Sequence, residues 1–306
     1  MKIKLFFTKL FMLAFLVGSS YAIVGCSGSG EQTDTDAIEE DVDSSMQESE
    51  SDGLNKTKQV FYSLPSPIET ALLLKRAGAK FNQDYLDSPD NVSKYTTSKL
   101  QALNLGVYGA DLSFVSMFDQ SQLSIKYLSV VKKLADDLGI LNAVDQGIFD
   151  RMNANIDNTD SLMEIISETF MNSDSFLKES DRTEVAAIVL VGGWMEGLYI
   201  AMQIAKSTDG NKEIIQRIID QRLSLNTLLN LLDDYKDNPD VQELIVTMKE
   251  INVLFNKISV TSSKIETVVG DDGKSELKSN VDVKYDQKDL DELFSKVEAF
   301  RMATVS

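Results

Sequence analysis

Residues 185–199 read VAAIVLVGGWMEGLY, the most apolar stretch beyond the first thirty residues, and they constrain the fold more than any other segment. From Val185 to Met195 there are eleven residues without a charge before Glu196. That is well short of the roughly 20 apolar residues a bilayer span needs. A helix that is apolar all round belongs at the centre of a bundle. Gly192, Gly193 and Gly197 each cost about 1 kcal/mol of helix propensity relative to alanine. What they permit is close approach by a second helix or by a ligand. Gly106 and Gly109, in a segment reading LGVYGAD from Leu105 to Asp111, are the expected partner surface.

The rest of residues 61–306 carries helical periodicity. Leu123, Tyr127, Val130, Val131, Leu134 and Leu138 recur at three- and four-residue spacing, closed by Gly139 as a C′ residue. Val241, Leu244, Ile245, Met248, Ile251, Phe255 and Ile258 form a second stripe, and Ile215, Ile218, Ile219, Leu225, Leu228, Leu229 and Leu232 a third. Ser66-Pro67 and Asn238-Pro239 pair a capping side chain with proline at the first helical position. Asp119 with Gln122 and Asp181 with Glu184 have capping-box spacing. These signals predict helices near 67–80, 98–117, 120–138, 143–155, 159–178, 182–206, 211–235, 240–262 and 287–303. The expected class is all-α, an irregular multi-helix bundle of about eight or nine helices. The segment 264–286 departs from the pattern: Val268-Val269-Gly270-Asp271-Asp272-Gly273 is turn-like, and Val281, Val283 and Tyr285 alternate after it. It reads as a small β-hairpin or a loop, and its Lys- and Ser-rich second half favours the loop.

Where two glycine-notched helices meet, Tyr108, Asp111, Trp194 and Glu196 could line a pocket, an apolar cavity with a few convergent polar groups. The competing reading is helix packing alone, since small residues at a crossing need no ligand. It leaves Glu196 hydrogen-bonded or at the helix rim, and it is the favoured one. Asn153, Asn155, Asp157 and Asn158, with Glu164 in twelfth place, have the spacing of a Ca²⁺ loop. Asn158 stands where such a loop needs glycine, so Asx-capped helix starts explain the pattern better. No metal and no cofactor is expected.

The N-terminus predicts where the protein resides. Lys2, Lys4 and Lys9 precede the apolar run 10–17, and Ile23-Val24-Gly25-Cys26 follows. That order of basic, apolar and small-residue regions is an export signal. Ile-Val-Gly-Cys resembles the lipobox of bacterial lipoproteins, which implies that residues 1–25 are removed and Cys26 is acylated. Ser20-Tyr21-Ala22 offers the competing ordinary cleavage. Residues 27–60 hold ten acidic residues, two lysines and no aromatic residue. Such a segment buries too little apolar surface to offset its ordering entropy, so 26–60 is expected to be an acylated, disordered tether. A chain starting near Lys58 should therefore melt at the same temperature as one starting at Ser27; a drop of many degrees would mean that the tether packs on the domain.

Charge and composition exclude several functions. Residues 61–306 carry 25 basic and 38 acidic side chains, a field that opposes nucleic acid and anionic lipid. The chain has no histidine, and Cys26 is its single cysteine. Ser-His and Cys-His catalysis and His-based metal sites are thereby absent. Any enzyme here would depend on carboxylates, Lys, Tyr or Ser.

Three blocks, 105–112 (LGVYGADL), 131–139 (VKKLADDLG) and 191–199 (VGGWMEGLY), resemble a group of uncharacterised helical lipoproteins from Bacteroidota. The resemblance implies a cell-envelope location and a helical fold, and no activity, while Ser27 after the cysteine, rather than Asp, resembles lipoproteins sorted to an outer membrane. The acidic tether is similar to surface-export signals of such proteins, although its first acid, Glu31, comes late. Periplasmic and surface orientations both stay open. The expected function is a lipid-anchored, non-catalytic module that meets the membrane through Cys26 and binds another envelope protein or a small ligand. The alternative is a carboxylate-dependent enzyme acting on an envelope or dietary polymer.

Overall fold

The computed structural model describes Lys75 and residues 78–140, 146–158, 160–162, 164–165, 168, 182–208, 211–262, 266–269, 275–278 and 281–306. The export signal 1–25, Cys26, the tether 27–60, most of the helices expected at 67–80 and 159–178, and the Ser66 and Asp181 caps lie outside these residues.

The fold is a multi-helix bundle built on the glycine-notched segment. The helices bounded within the described residues are α1 (Ser98–Met117), α2 (Ser121–Asp137), α3 (Gln146–Ala154), α4 (Thr183–Ser207), α5 (Lys212–Asp233), α6 (Pro239–Lys257) and α7 (Gln287–Val305). Helices α1 and α4 pair most extensively. The chain then adds α2 against α1, and α5, α6 and α7 in succession around α4. By length and composition α4 could cross a membrane, but most of its apolar length is buried inside the fold. It is apolar on all sides because protein surrounds it.

The local signals were realised unevenly. Asn238 caps α6, its side chain accepting from the Asp240 N–H at 2.9 Å, with Pro239 in the first turn. Asn211, Thr97 and Asp286 cap α5, α1 and α7 in the same way. Gly139 closes α2 at φ 70°, donating to the Asp136 carbonyl at 2.8 Å. Asp119 is not a cap. It sits in the left-handed region at φ 57°, and α2 begins after Gln120 with no side-chain cap. Since α1 runs through Met117, only a tight reversal separates the two helices, and aspartate tolerates the left-handed conformation such a turn needs. Gly78, at φ 88°, marks a turn where the helix expected at 67–80 was to continue.

Helix α6 also stops at Lys257 rather than running to 262. Ile258 leaves the helix with extended backbone, and residues Ser259–Ser262 (β1) pair antiparallel with Val281–Lys284 (β4). Inside that ladder Glu266–Val269 (β2) pairs antiparallel with Ser275–Lys278 (β3). The hairpin reading of this region therefore replaces the loop. The alternating, β-branched Val260, Val281 and Val283 suit strand backbone better than helix, and this outweighs the Lys and Ser content.

The α1–α4 crossing is glycine-mediated at two positions. A Cβ on Gly192 would stand 1.9 Å from the Leu103 carbonyl oxygen, and one on Gly106 would stand 2.1 Å from the Val189 oxygen. Gly193 is less tight, at 3.4 Å from the Gly106 oxygen. Nothing lies within 4 Å of a Cβ on Gly109 or Gly197. The expected crossing thus exists, with Gly106 and Gly192 as its contact points. Gly109→Ala and Gly197→Ala should each raise stability by somewhat under 1 kcal/mol through helix propensity, measurable by urea unfolding.

Candidate functional site

The polar interior begins with α7. Its buried stripe runs Leu290, Leu293, Phe294, Val297, Arg301, Thr304, so a cation continues an apolar face. An arginine there must find a buried anion or unfold the turn that carries it. Its partner is Glu196 at the middle of α4. Arg301 Nε donates to Glu196 Oε2 at 2.9 Å and Oε1 at 3.3 Å, and Nη2 donates to Oε1 at 2.9 Å. The guanidinium also stacks 4.4 Å over the Tyr199 ring. Glu196 is 0% exposed and Arg301 8%. Glu196 is therefore not a rim residue.

Asp111, on α1, lies against the same pair. It is 0% exposed, and its side chain is within hydrogen-bonding reach of Glu196. Its Oδ2 accepts the Asp87 backbone N–H at 3.1 Å. Asp87 belongs to a strap of two short 3₁₀ turns, Gln83–Tyr85 and Pro89–Lys94, which runs across α1, α2 and α7. With so few apolar side chains of its own, the strap is held by polar groups. Tyr95 and Asn91 donate to the Asp87 carboxyl at 2.6 and 2.7 Å. Tyr127 of α2 donates to the Asp87 carbonyl at 2.8 Å, and Tyr108 of α1 to the Ser88 carbonyl at 2.7 Å. The rings of Tyr95, Tyr108 and Tyr127 form a chain with centroids 6.3 and 6.0 Å apart. Asn104, two turns before Asp111, donates to the Thr304 carbonyl at 3.0 Å and so ties α7 to α1.

Burial governs the electrostatics. Desolvation pushes the Asp111 carboxyl well above the usual carboxylate range, and the nearby Glu196 charge adds to this. Glu196 is raised by desolvation but restrained by its hydrogen bonds to Arg301. Desolvation disfavours the Arg301 cation, yet Glu196 outweighs it and the guanidinium stays charged. Desolvation also raises the Tyr95, Tyr108 and Tyr127 hydroxyls, keeping them neutral donors.

Of the four expected pocket residues, three converge here: Tyr108 and Asp111 on the strap, and Glu196 beside Asp111. Trp194 does not join them. Two residues from Glu196 on a helix, it points about 200° away around the axis. It is 7% exposed, with no hydrogen-bond partner for its indole N–H. Arg301, Asp87, Tyr95 and Tyr127 were missed, although the charged interruption in the 290–304 stripe was a visible signal for Arg301. Side chains of the Ca²⁺-like segment are engaged within the protein: Asn158 Oδ1 accepts the Ser161 N–H at 3.1 Å and Asn155 donates to the Arg151 carbonyl locally, while Asp157 accepts from Ser121 at the start of α2. No cluster of three metal-ligating side chains occurs among the described residues. No family model, no curated protein and no solved structure matches this chain.

Proposed function

We propose that this chain is a lipid-anchored cell-envelope protein whose helical domain is a non-catalytic binding or structural module. The observation that carries the module reading is the burial of Asp111 and Glu196. The two carboxyls best suited to acid–base work are both fully enclosed and committed to the Asp87 N–H and to Arg301. General acid–base catalysis needs its groups within reach of a substrate proton. The −13 balance of residues 61–306 supports partners other than nucleic acid. The anchoring half of the proposal rests on Cys26 directly behind an export signal. Two or more acyl chains on one residue hold a protein stably at a membrane, where one chain binds only marginally.

Mass spectrometry of the native protein should find an acylated N-terminus at Cys26, and Cys26→Ala should leave the membrane fraction. An unmodified chain beginning at Ile23 would sink the anchoring reading. Capture of a defined envelope partner by the acylated protein, undiminished in Asp111→Asn, would support the module. The raised Asp111 carboxyl favours the second reading, carboxylate-dependent hydrolysis, because enzymes tune acids this way. Hydrolysis of an envelope or dietary polymer that disappears in Asp111→Asn, with the fold intact, would establish that reading instead.

A further inference from the structure

We propose that Asp111 and Glu196 share one proton, carried on Asp111 Oδ1, and that it latches the strap and α7 to the α1–α4 core, releasing them as pH rises. The inference starts from an orphan atom. Asp111 Oδ1 is fully buried and has no hydrogen-bond donor, whereas Oδ2 takes the Asp87 N–H. An ionised oxygen left so would bear its full desolvation cost. Both Glu196 oxygens already accept from Arg301, yet the Asp111 side chain lies within hydrogen-bonding reach of Glu196. A proton on Oδ1 makes Asp111 a donor to that carboxylate. It satisfies the orphan oxygen, removes one buried negative charge and adds a charge-assisted hydrogen bond. Two carboxyls this close cannot both ionise cheaply, so they titrate as a pair. The proton falls to Asp111 because Arg301 supplies its hydrogen bonds to Glu196.

Among the described residues no donor reaches Asp111 Oδ1. The strap presents Asp87 and Tyr95, α1 Tyr108, α2 Tyr127, α4 Glu196 and Tyr199, and α7 Arg301 with Glu298 farther out. The hydroxyls of Tyr95, Tyr108 and Tyr127 point to the strap's Asp87 and Ser88, and Arg301 is the one cation in the group. A carboxyl whose folded pKa is raised binds its proton more tightly in the folded state. Its stabilising contribution is complete below the ordinary aspartate value and lost as pH rises through the folded value. The latch therefore opens on the alkaline side. A second buried anion would compete for Arg301, and both the Arg301–Glu196 fork and the Asp111–Asp87 tie would loosen.

The test uses the full chain with ¹³C-labelled aspartate and glutamate carboxyls. At neutral pH, infrared spectroscopy should show a protonated aspartic acid band that Asp111→Asn removes. The wild-type melting temperature should fall with rising pH up to about pH 9 while that band persists, and Asp111 should add no further slope once the band has titrated. Asp111→Asn supplies a permanent donor in the same shape, and its melting temperature should fall less than that of wild type over that range and lie above it at about pH 9, below the region where tyrosine and lysine titrate. Absence of a protonated aspartic acid in folded wild-type protein at neutral pH would overturn the proposal, whether or not the variant folds. So would an Asp111→Asn protein with an unchanged pH slope.

Discussion

Arg301→Met should lose about 3–5 kcal/mol of stability at neutral pH, because it leaves the Glu196 carboxylate buried without its cation. A domain holds only about 5–15 kcal/mol in all, so the variant should unfold at markedly lower urea concentration. The loss has a defined pH dependence. Without Arg301, desolvation drives Glu196 further above its ordinary value of about 4.3. A group raised in the folded state contributes stability below its unfolded value and loses it as pH rises. The gap between wild type and variant should therefore narrow in acid and be widest from neutral pH upward. Arg301→Lys should fall between the two, since a lysine cannot make the two-pronged contact. Adding Glu196→Gln to Arg301→Met should recover much of the loss by removing the stranded charge. A loss independent of pH would mean that the arginine stem, rather than its charge, carries the stability.

Gly106→Ala and Gly192→Ala should also be clearly destabilising, by about 2 kcal/mol or more, through packing alone. Each new methyl would meet backbone at 2.1 or 1.9 Å, and a backbone cannot swing aside as a side chain can. Overpacking a dense interior costs about 1–3 kcal/mol and occasionally more, and these contacts belong at the upper end. The gain of about 1 kcal/mol in helix propensity is too small to offset it. Gly193→Ala, with its methyl at ordinary van der Waals distance, should be near neutral. Urea unfolding of the three variants separates a crossing held at two points from a diffuse small-residue face.

These effects were legible in the sequence to different degrees. Glycines within an apolar helical run announce a close crossing, and the approach of Gly192 and Gly193 to Gly106 followed from that, whereas Gly109 and Gly197 were read into the crossing and stand clear of it. Helix α1 and the Asn238 and Gly139 termini were readable because capping and termination are local chemistry. Ile258 misled because it continues the apolar period of α6 after the backbone has become extended. The Glu196–Arg301 pair spans 105 residues, and no local pattern can state which buried anion a buried cation will find. The strap was invisible for a related reason: polar side chains from other helices hold it, so it carries no periodicity of its own.

Because Arg301 and Thr304 complete a polar core whose other members begin at Tyr85 and Asn104, separations of about 200 residues must close before that core is neutral and satisfied. A nascent chain that has not yet delivered residues near 301 therefore carries Glu196 uncompensated. It cannot reach its final stability segment by segment. High contact order of this kind slows folding. Glu196 on α4 and Arg301 on α7 thus act as a check on completeness: the pair fastens the fold only when both helices are present and docked.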